Sequence, residues 1–130
     1  MARAILVVDD AAFIRALLRA VLTKAGFTVH EAISGQDALA RYEQLGPDLV
    51  TLDLSMPDMS GMEVLEQLRA ADPDVRVLVI SAIEERDAIL EALSSGAVDF
   101  LPKPFEPSQV LAAVGRCMQP ASDEQGSPSV

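Results

Sequence analysis

The sequence predicts an α/β domain whose parallel sheet is covered by helices on both faces. Short apolar, β-branched runs alternate five times with stretches whose apolar residues recur at helical spacing. A β-α order repeated in this way leads to parallel strands joined by crossover helices. The chain has 130 residues, half of them hydrophobic, which suits one domain around one core.

The elements follow in order. Ala4–Val8 reads as a strand, and Phe13, Ile14, Leu17, Leu18, Val21 and Leu22 then form a helical stripe up to a stop at Gly26. Thr28–Ala32 is a second strand, followed by a helix marked by Ala38, Leu39, Tyr42 and Leu45 that ends near Gly46-Pro47. Leu49–Leu52 is the third. Its helix opens on Ser60-Gly-Met-Glu63, a capping-box pattern, and turns Val64, Leu65 and Leu68 inward. Val75–Ile80 is the fourth strand, and Arg86–Ser94 a helix with a weaker stripe of Ile89, Leu90 and Leu93, stopped near Gly96. Val98–Leu101 is a short fifth strand. Pro107, suited to a first helical turn, starts a last helix with Val110, Leu111, Val114 and Met118 on one side. Residues 1–118 are read as the domain, and 119–130, polar and rich in Ser and Pro, as a disordered tail or a truncated linker.

Composition excludes several functions. Ten basic against twenty acidic residues give a formal charge of −10, which argues against direct nucleic-acid binding, since phosphate contacts need clustered Lys and Arg. No apolar run approaches the roughly 20 residues that span a bilayer, so no membrane insertion is expected and a cytoplasmic location follows. Cys117 is the single cysteine and His30 the single histidine. Neither an internal disulfide nor a cysteine metal site is available, and both residues read as structural.

Four strands end on a chemically useful side chain. Ile5–Val8 runs into Asp9 and Asp10, Leu49–Leu52 into Asp53, Val77–Ile80 into Ser81, and Phe100-Leu101 is soon followed by Lys103. A charge directly after an apolar strand is costly unless the strand delivers it to an edge where it is used. Taken singly, each has an ordinary reading: a solvated helix start, an acidic turn, a loop hydroxyl, a surface lysine. In an open α/β sheet, however, ligands bind outside the carboxyl ends of the strands, where all four fall. Three converging carboxylates repel one another unless a hard divalent cation joins them, and an oxygen-only set suits magnesium. A cation, a lysine and a hydroxyl are the means of stabilising a transferring phosphoryl group. Asp53 would then be the nucleophile. Lys103 would offset charge on the phosphoryl oxygens, and Ser81 could hydrogen-bond one of them.

The segments Leu6-Val-Val-Asp-Asp10, Leu49-Val-Thr-Leu-Asp-Leu-Ser-Met-Pro-Asp-Met-Ser-Gly61, Ile80-Ser-Ala82 and Asp99-Phe-Leu-Pro-Lys-Pro-Phe105 resemble a response regulator receiver domain, the phosphoacceptor module of two-component signalling. The resemblance runs from Ala4 to about Met118. It implies a flavodoxin-like, doubly wound, five-stranded parallel sheet in the order 2-1-3-4-5 with five helices. It implies magnesium held by Asp9, Asp10, Asp53 and the Ser55 backbone carbonyl. Asp53 would accept phosphate from a histidine kinase or phosphotransfer protein, Lys103 would bridge to the phosphoryl group, and Ser81 and Phe100 would switch rotamers. The protein would be a switch rather than an enzyme, acting on a downstream protein partner through the surface of its fourth helix, fifth strand and fifth helix.

Departures from the family pattern sharpen the expectation. Ser81 stands where Thr is more frequent and keeps the hydroxyl; Phe100 lacks a phenolic group; Ala11 and Ala12 leave the surface beside the acid pair bare. Ile83, two residues beyond Ser81, cannot guide a hydrolytic water, so a long-lived phosphorylated state is expected. Arg86, Leu90, Glu91 and Ser95 are candidate output residues, with Leu90 open to an alternative place in the core. Within the family, a stand-alone regulator of chemotaxis type, a phosphate relay or sink, and the isolated receiver of a longer regulator compete. From another class, a magnesium-dependent phosphatase with an aspartyl nucleophile would need a second acid two residues on, where this chain has Ser55. An inert scaffold would show no magnesium effect.

Overall fold

The computed structural model describes residues 3–119. Gln119 apart, the expected tail or linker lies outside the described residues. Strands β1 (Ala4–Val8), β2 (Thr28–Ala32), β3 (Leu49–Leu52), β4 (Val77–Ser81) and β5 (Asp99–Pro102) alternate with helices α1 (Ala12–Lys24), α2 (Gly35–Leu45), α3 (Gly61–Ala71), α4 (Arg86–Ser94) and α5 (Pro107–Cys117). All strand pairs are parallel, in the order β2-β1-β3-β4-β5. Among the described residues, no helix is long and apolar enough to cross a membrane.

Alternating side chains divide the core between two faces. Leu6, Val8, Val50, Leu52, Val77 and Val79 pack with Ala38, Val64, Leu65, Leu68 and Ala92 under α2, α3 and α4. Ile5, Val7, Leu49, Leu78, Ile80 and Leu101 pack with Leu18, Leu22, Val110, Ala113 and Val114 under α1 and α5. Burial on both faces explains why the central strands are continuously apolar rather than alternating. Thr51 is the exception: it is buried on β3, and its Oγ1 has no hydrogen-bond partner among the described residues.

The helix ends follow the local chemistry. Ser60 and Glu63 form the expected capping box of α3, and Gly26, Gly46 and Gly96 adopt the positive φ that lets the chain turn away after α1, α2 and α4. At the far end of α5, Arg3 and Arg76, from just before β1 and β4, donate to the carbonyls of Met118 (3.1 Å) and Cys117 (3.3 Å). Tyr42 on α2 donates to Asp72 after α3 at 2.6 Å. Burial raises the Tyr42 phenol above its usual range, with Asp72 adding to the effect, and the same bond holds Asp72 below the usual carboxylate range.

Three expectations are corrected. β4 and β5 begin and end slightly later than the apolar runs suggest, so Ser81 is the last residue of its strand rather than the first after it. Phe13 is not in the inward stripe: it is 75% exposed, because it sits about 125° around α1 from the centre of Ile14, Leu18, Val21 and Leu22. Leu111 is likewise exposed, off the face that Val110 and Val114 turn to the sheet.

Candidate functional site

β1 and β3 are neighbours in the register Val8↔Leu52, so Asp9 and Asp53 emerge side by side. Both amides continue the ladder, Asp9 N donating to Ala32 O (3.2 Å) and Asp53 N to Val8 O (3.1 Å). β4 and β5 pair Ser81 with Pro102, and Lys103 N donates to Ser81 O at 3.0 Å. The strand ends therefore deliver acids, hydroxyl and ammonium to one rim of the sheet, next to the point where the strand order reverses.

Carboxylate oxygens of Asp9, Asp10 and Asp53 lie within 4.8 Å of one another. Asp9 and Asp53 are buried and Asp10 is exposed. Lys103 Nζ sits 2.7 Å from Asp9 Oδ2 and 3.5 Å from Asp53 Oδ2, shared between the two buried acids. The other oxygens are oriented by backbone amides: Ala11 N donates to Asp9 Oδ1 (2.9 Å) and Ser55 N to Asp53 Oδ1 (3.2 Å). Three carboxylates against one ammonium leave an excess of negative charge, and an all-oxygen donor set fits a hard divalent cation. Ser81 is fully buried; its Oγ accepts from Ile83 N (3.4 Å) and, among the described residues, bonds none of the acids. Phe100 is half-buried against the α2–α4 side of the core, and Ile83 packs there too.

Several supports around the site are not evident in the sequence. Arg15 on α1 donates to the Asp9 carbonyl at 2.8 Å and to Glu31 Oε1 on β2 at 3.1 Å, and Arg19 donates to Glu31 Oε2. The Arg19 hydrogen bond, helped by Arg15, holds Glu31 below the usual carboxylate range. In the loop after β3, Asp58 accepts from the amides of Gly35 (3.0 Å) and Gln36 (3.1 Å), clamping that loop to the start of α2. Those amides, Gly35 first, hold Asp58 below its usual range. Gly61 is required where it is: a Cβ would lie 2.4 Å from Leu54 Cα and 2.6 Å from the Asp53 carbonyl. Only the proximity of β1 to β2, and of the β3–α3 loop to α2, could have revealed these contacts.

On the other flank, α4 buries a single side chain, Ala92. Arg86, Leu90 and Glu91 are exposed and Ser95 is half-buried, so Leu90, 48% exposed, is a surface residue. Leu93 and Val98 are exposed as well, whereas Leu111 on α5 lies towards α1, beside Val21 and Lys24.

Fold and strand-end chemistry together define a doubly wound signalling module of the phosphoacceptor kind. The model of the response regulator receiver domain matches residues 5–115, and the chain belongs to that family. Chemotaxis protein CheY of Thermotoga maritima is 41% identical over 117 residues, which span 89% of this chain and 98% of that protein. Chemotaxis protein CheY of Bacillus subtilis is 40% identical over 119 residues, 91% of this chain and 99% of its own. Among solved structures, the CheX-CheY-BeF3-Mg+2 complex of Borrelia burgdorferi contains a chain that superposes with a TM-score of 0.88 at 31% identity, over 91% of this chain and 90% of that one. The protein is thus a receiver domain in a sheet of order 2-1-3-4-5, a phosphoacceptor signalling switch.

Proposed function

We propose that Asp53 is the residue that takes the phosphoryl group, donated by a phosphohistidine on a kinase or phosphotransfer protein. An Asp53 carboxylate oxygen attacks phosphorus, a P–O bond forms, and the P–N bond breaks with its electron pair staying on the departing imidazole nitrogen. The observation that carries this reading is the Asp9–Asp10–Asp53 cluster with Lys103 shared between its two buried members.

Asp9, Asp10, Asp53 and the Ser55 carbonyl would hold magnesium, which when bound neutralises charge on the phosphoryl oxygens. A related chain solved with BeF3 and magnesium supports that role. Lys103 needs little movement to pair with the incoming phosphoryl group, since its ammonium already lies 3.5 Å from Asp53 Oδ2. Ser81 bonds a phosphoryl oxygen, and Phe100, half-buried on β5 opposite Val79, two residues before Ser81 on β4, moves into the space Ser81 leaves. The surface of α4, β5 and α5, with Arg86, Leu90, Glu91 and Ser95, then changes its fit to a protein partner. The CheX in the Borrelia complex supports a protein partner of this kind. Such a protein acts in the cytoplasm as a switch whose chemistry is confined to its own side chain.

Labelling with acetyl phosphate in magnesium tests the assignment. The wild type is expected to be labelled and Asp53→Asn not; equal labelling of both overturns it.

A further inference from the structure

The acid pair is aimed from behind. Asp9 is the first residue after β1, and the peptide linking it to Asp10 sets the directions of both carboxylates. The carbonyl of that peptide is held by Arg15 Nη1 at 2.8 Å, while Arg15 Nε is held in turn by Glu31 Oε1 at 3.1 Å. Arg19 occupies the second oxygen of Glu31, so Glu31 cannot swing away without losing two charged partners. Arg15 itself is only 14% exposed. The guanidinium fork thus ties three elements, α1, β1 and β2, to one carbonyl.

We infer that Arg15, backed by Glu31, is a positioning residue for the metal site: it fixes the Asp9–Asp10 peptide so that both carboxylates face the same point. This rests on Asp9 and Asp10 holding magnesium as proposed above. Arg15 touches no carboxylate of the acid cluster; its contact is with the backbone between two of its members. Its chemistry is directional. A guanidinium spans carbonyl and carboxylate at once, which a lysine ammonium on its flexible stem does not reproduce.

The charge of Arg15 gives the inference a sign that a purely electrostatic role lacks. A cation beside a magnesium site disfavours magnesium, so removing it would tighten binding if charge alone mattered. If position matters, removing it loosens the site. Supports one step removed from a metal's ligands are worth about 10- to 100-fold in affinity.

The experiment is magnesium titration of the full chain, followed by calorimetry and by amide shifts of Asp10 and Ala11, for the wild type, Arg15→Ala, Arg15→Lys and Glu31→Gln. Arg15→Ala is expected to bind magnesium about 10-fold more weakly. Arg15→Lys should stay closer to Arg15→Ala than to the wild type, and Glu31→Gln should show a smaller loss in the same direction. Unchanged or tighter binding by Arg15→Ala overturns the inference, as does full recovery in Arg15→Lys. Should Arg15→Ala not fold, Arg15→Lys decides, since it keeps the charge and changes only the geometry: weaker magnesium binding than the wild type supports the inference, and unchanged binding overturns it. A wild type that binds no magnesium would overturn the parent proposal instead, so the two failures are distinguishable.

Discussion

Thr51→Val should make this protein more stable, although most substitutions do the reverse. Thr51 is 1% exposed, in the middle of the central strand β3, two residues before Asp53 on the same face. Its Oγ1 has no hydrogen-bond partner among the described residues, and its neighbours in register are Val7 and Leu78. A buried hydroxyl left unpaired costs about 1–3 kcal/mol. Replacing it with a methyl of similar size removes that penalty and adds roughly 0.8 kcal/mol of apolar burial. Part of the gain is lost in adapting the packing, so a net stabilisation of about 1–2 kcal/mol is expected. Urea unfolding followed by circular dichroism should show a higher midpoint with an unchanged slope. Thr51→Ser, which keeps the hydroxyl and loses the methyl, should move the midpoint down. A loss of more than about 0.5 kcal/mol in Thr51→Val would refute the reasoning, because it would mean that the hydroxyl is satisfied and the floor of the acid site is polar.

Two further outcomes are expected. Tyr42→Phe removes the bond that holds Asp72 below its usual range, a contribution fully present above the ordinary aspartate value and lost as pH falls through the lowered one. The variant should therefore be less stable than the wild type at neutral pH, with the gap shrinking as the pH falls below about 4; a gap that stays constant or widens on acidification in urea titrations would contradict this. Ile83→Glu puts a carboxylate two residues beyond Ser81 and should shorten the life of the phosphorylated protein, measured as loss of label after removal of the donor. A wild-type label that vanishes quickly, at the same rate in Ile83→Glu, would refute the expected role of Ile83.

What was legible in the sequence was whatever the chain writes along one dimension. An apolar run broken by Asp9, Asp53, Ser81 or Lys103 marks a strand end whatever the surroundings, and a repeated β-α order limits the topology enough to bring those ends together. Phe13 and Leu111 show where this fails: helical spacing identifies a helix, but the edge of the buried face depends on the neighbours it meets. The same holds for Arg15, Glu31, Asp58 and Tyr42. Each works through a partner 6 to 30 residues away, and even Asp58, inside the Leu49–Gly61 segment, gives no sign in the sequence of the amides it accepts from. Leu90 illustrates the point from the other side. Its stripe suited core or surface equally, and only the shallow seating of α4, with Ala92 alone buried, decided it.

The grip of Arg3 and Arg76 on the last carbonyls of α5 has a practical consequence. Both guanidiniums come from the amino ends of their strands, so the backbone passes Met118 at the pole of the molecule opposite the acids. A reporter or surface anchor joined beyond that point would hang from a clasped root, oriented away from the mouth through which a phosphodonor must enter. Immobilised in this way, the protein would present its acids outward to the solution.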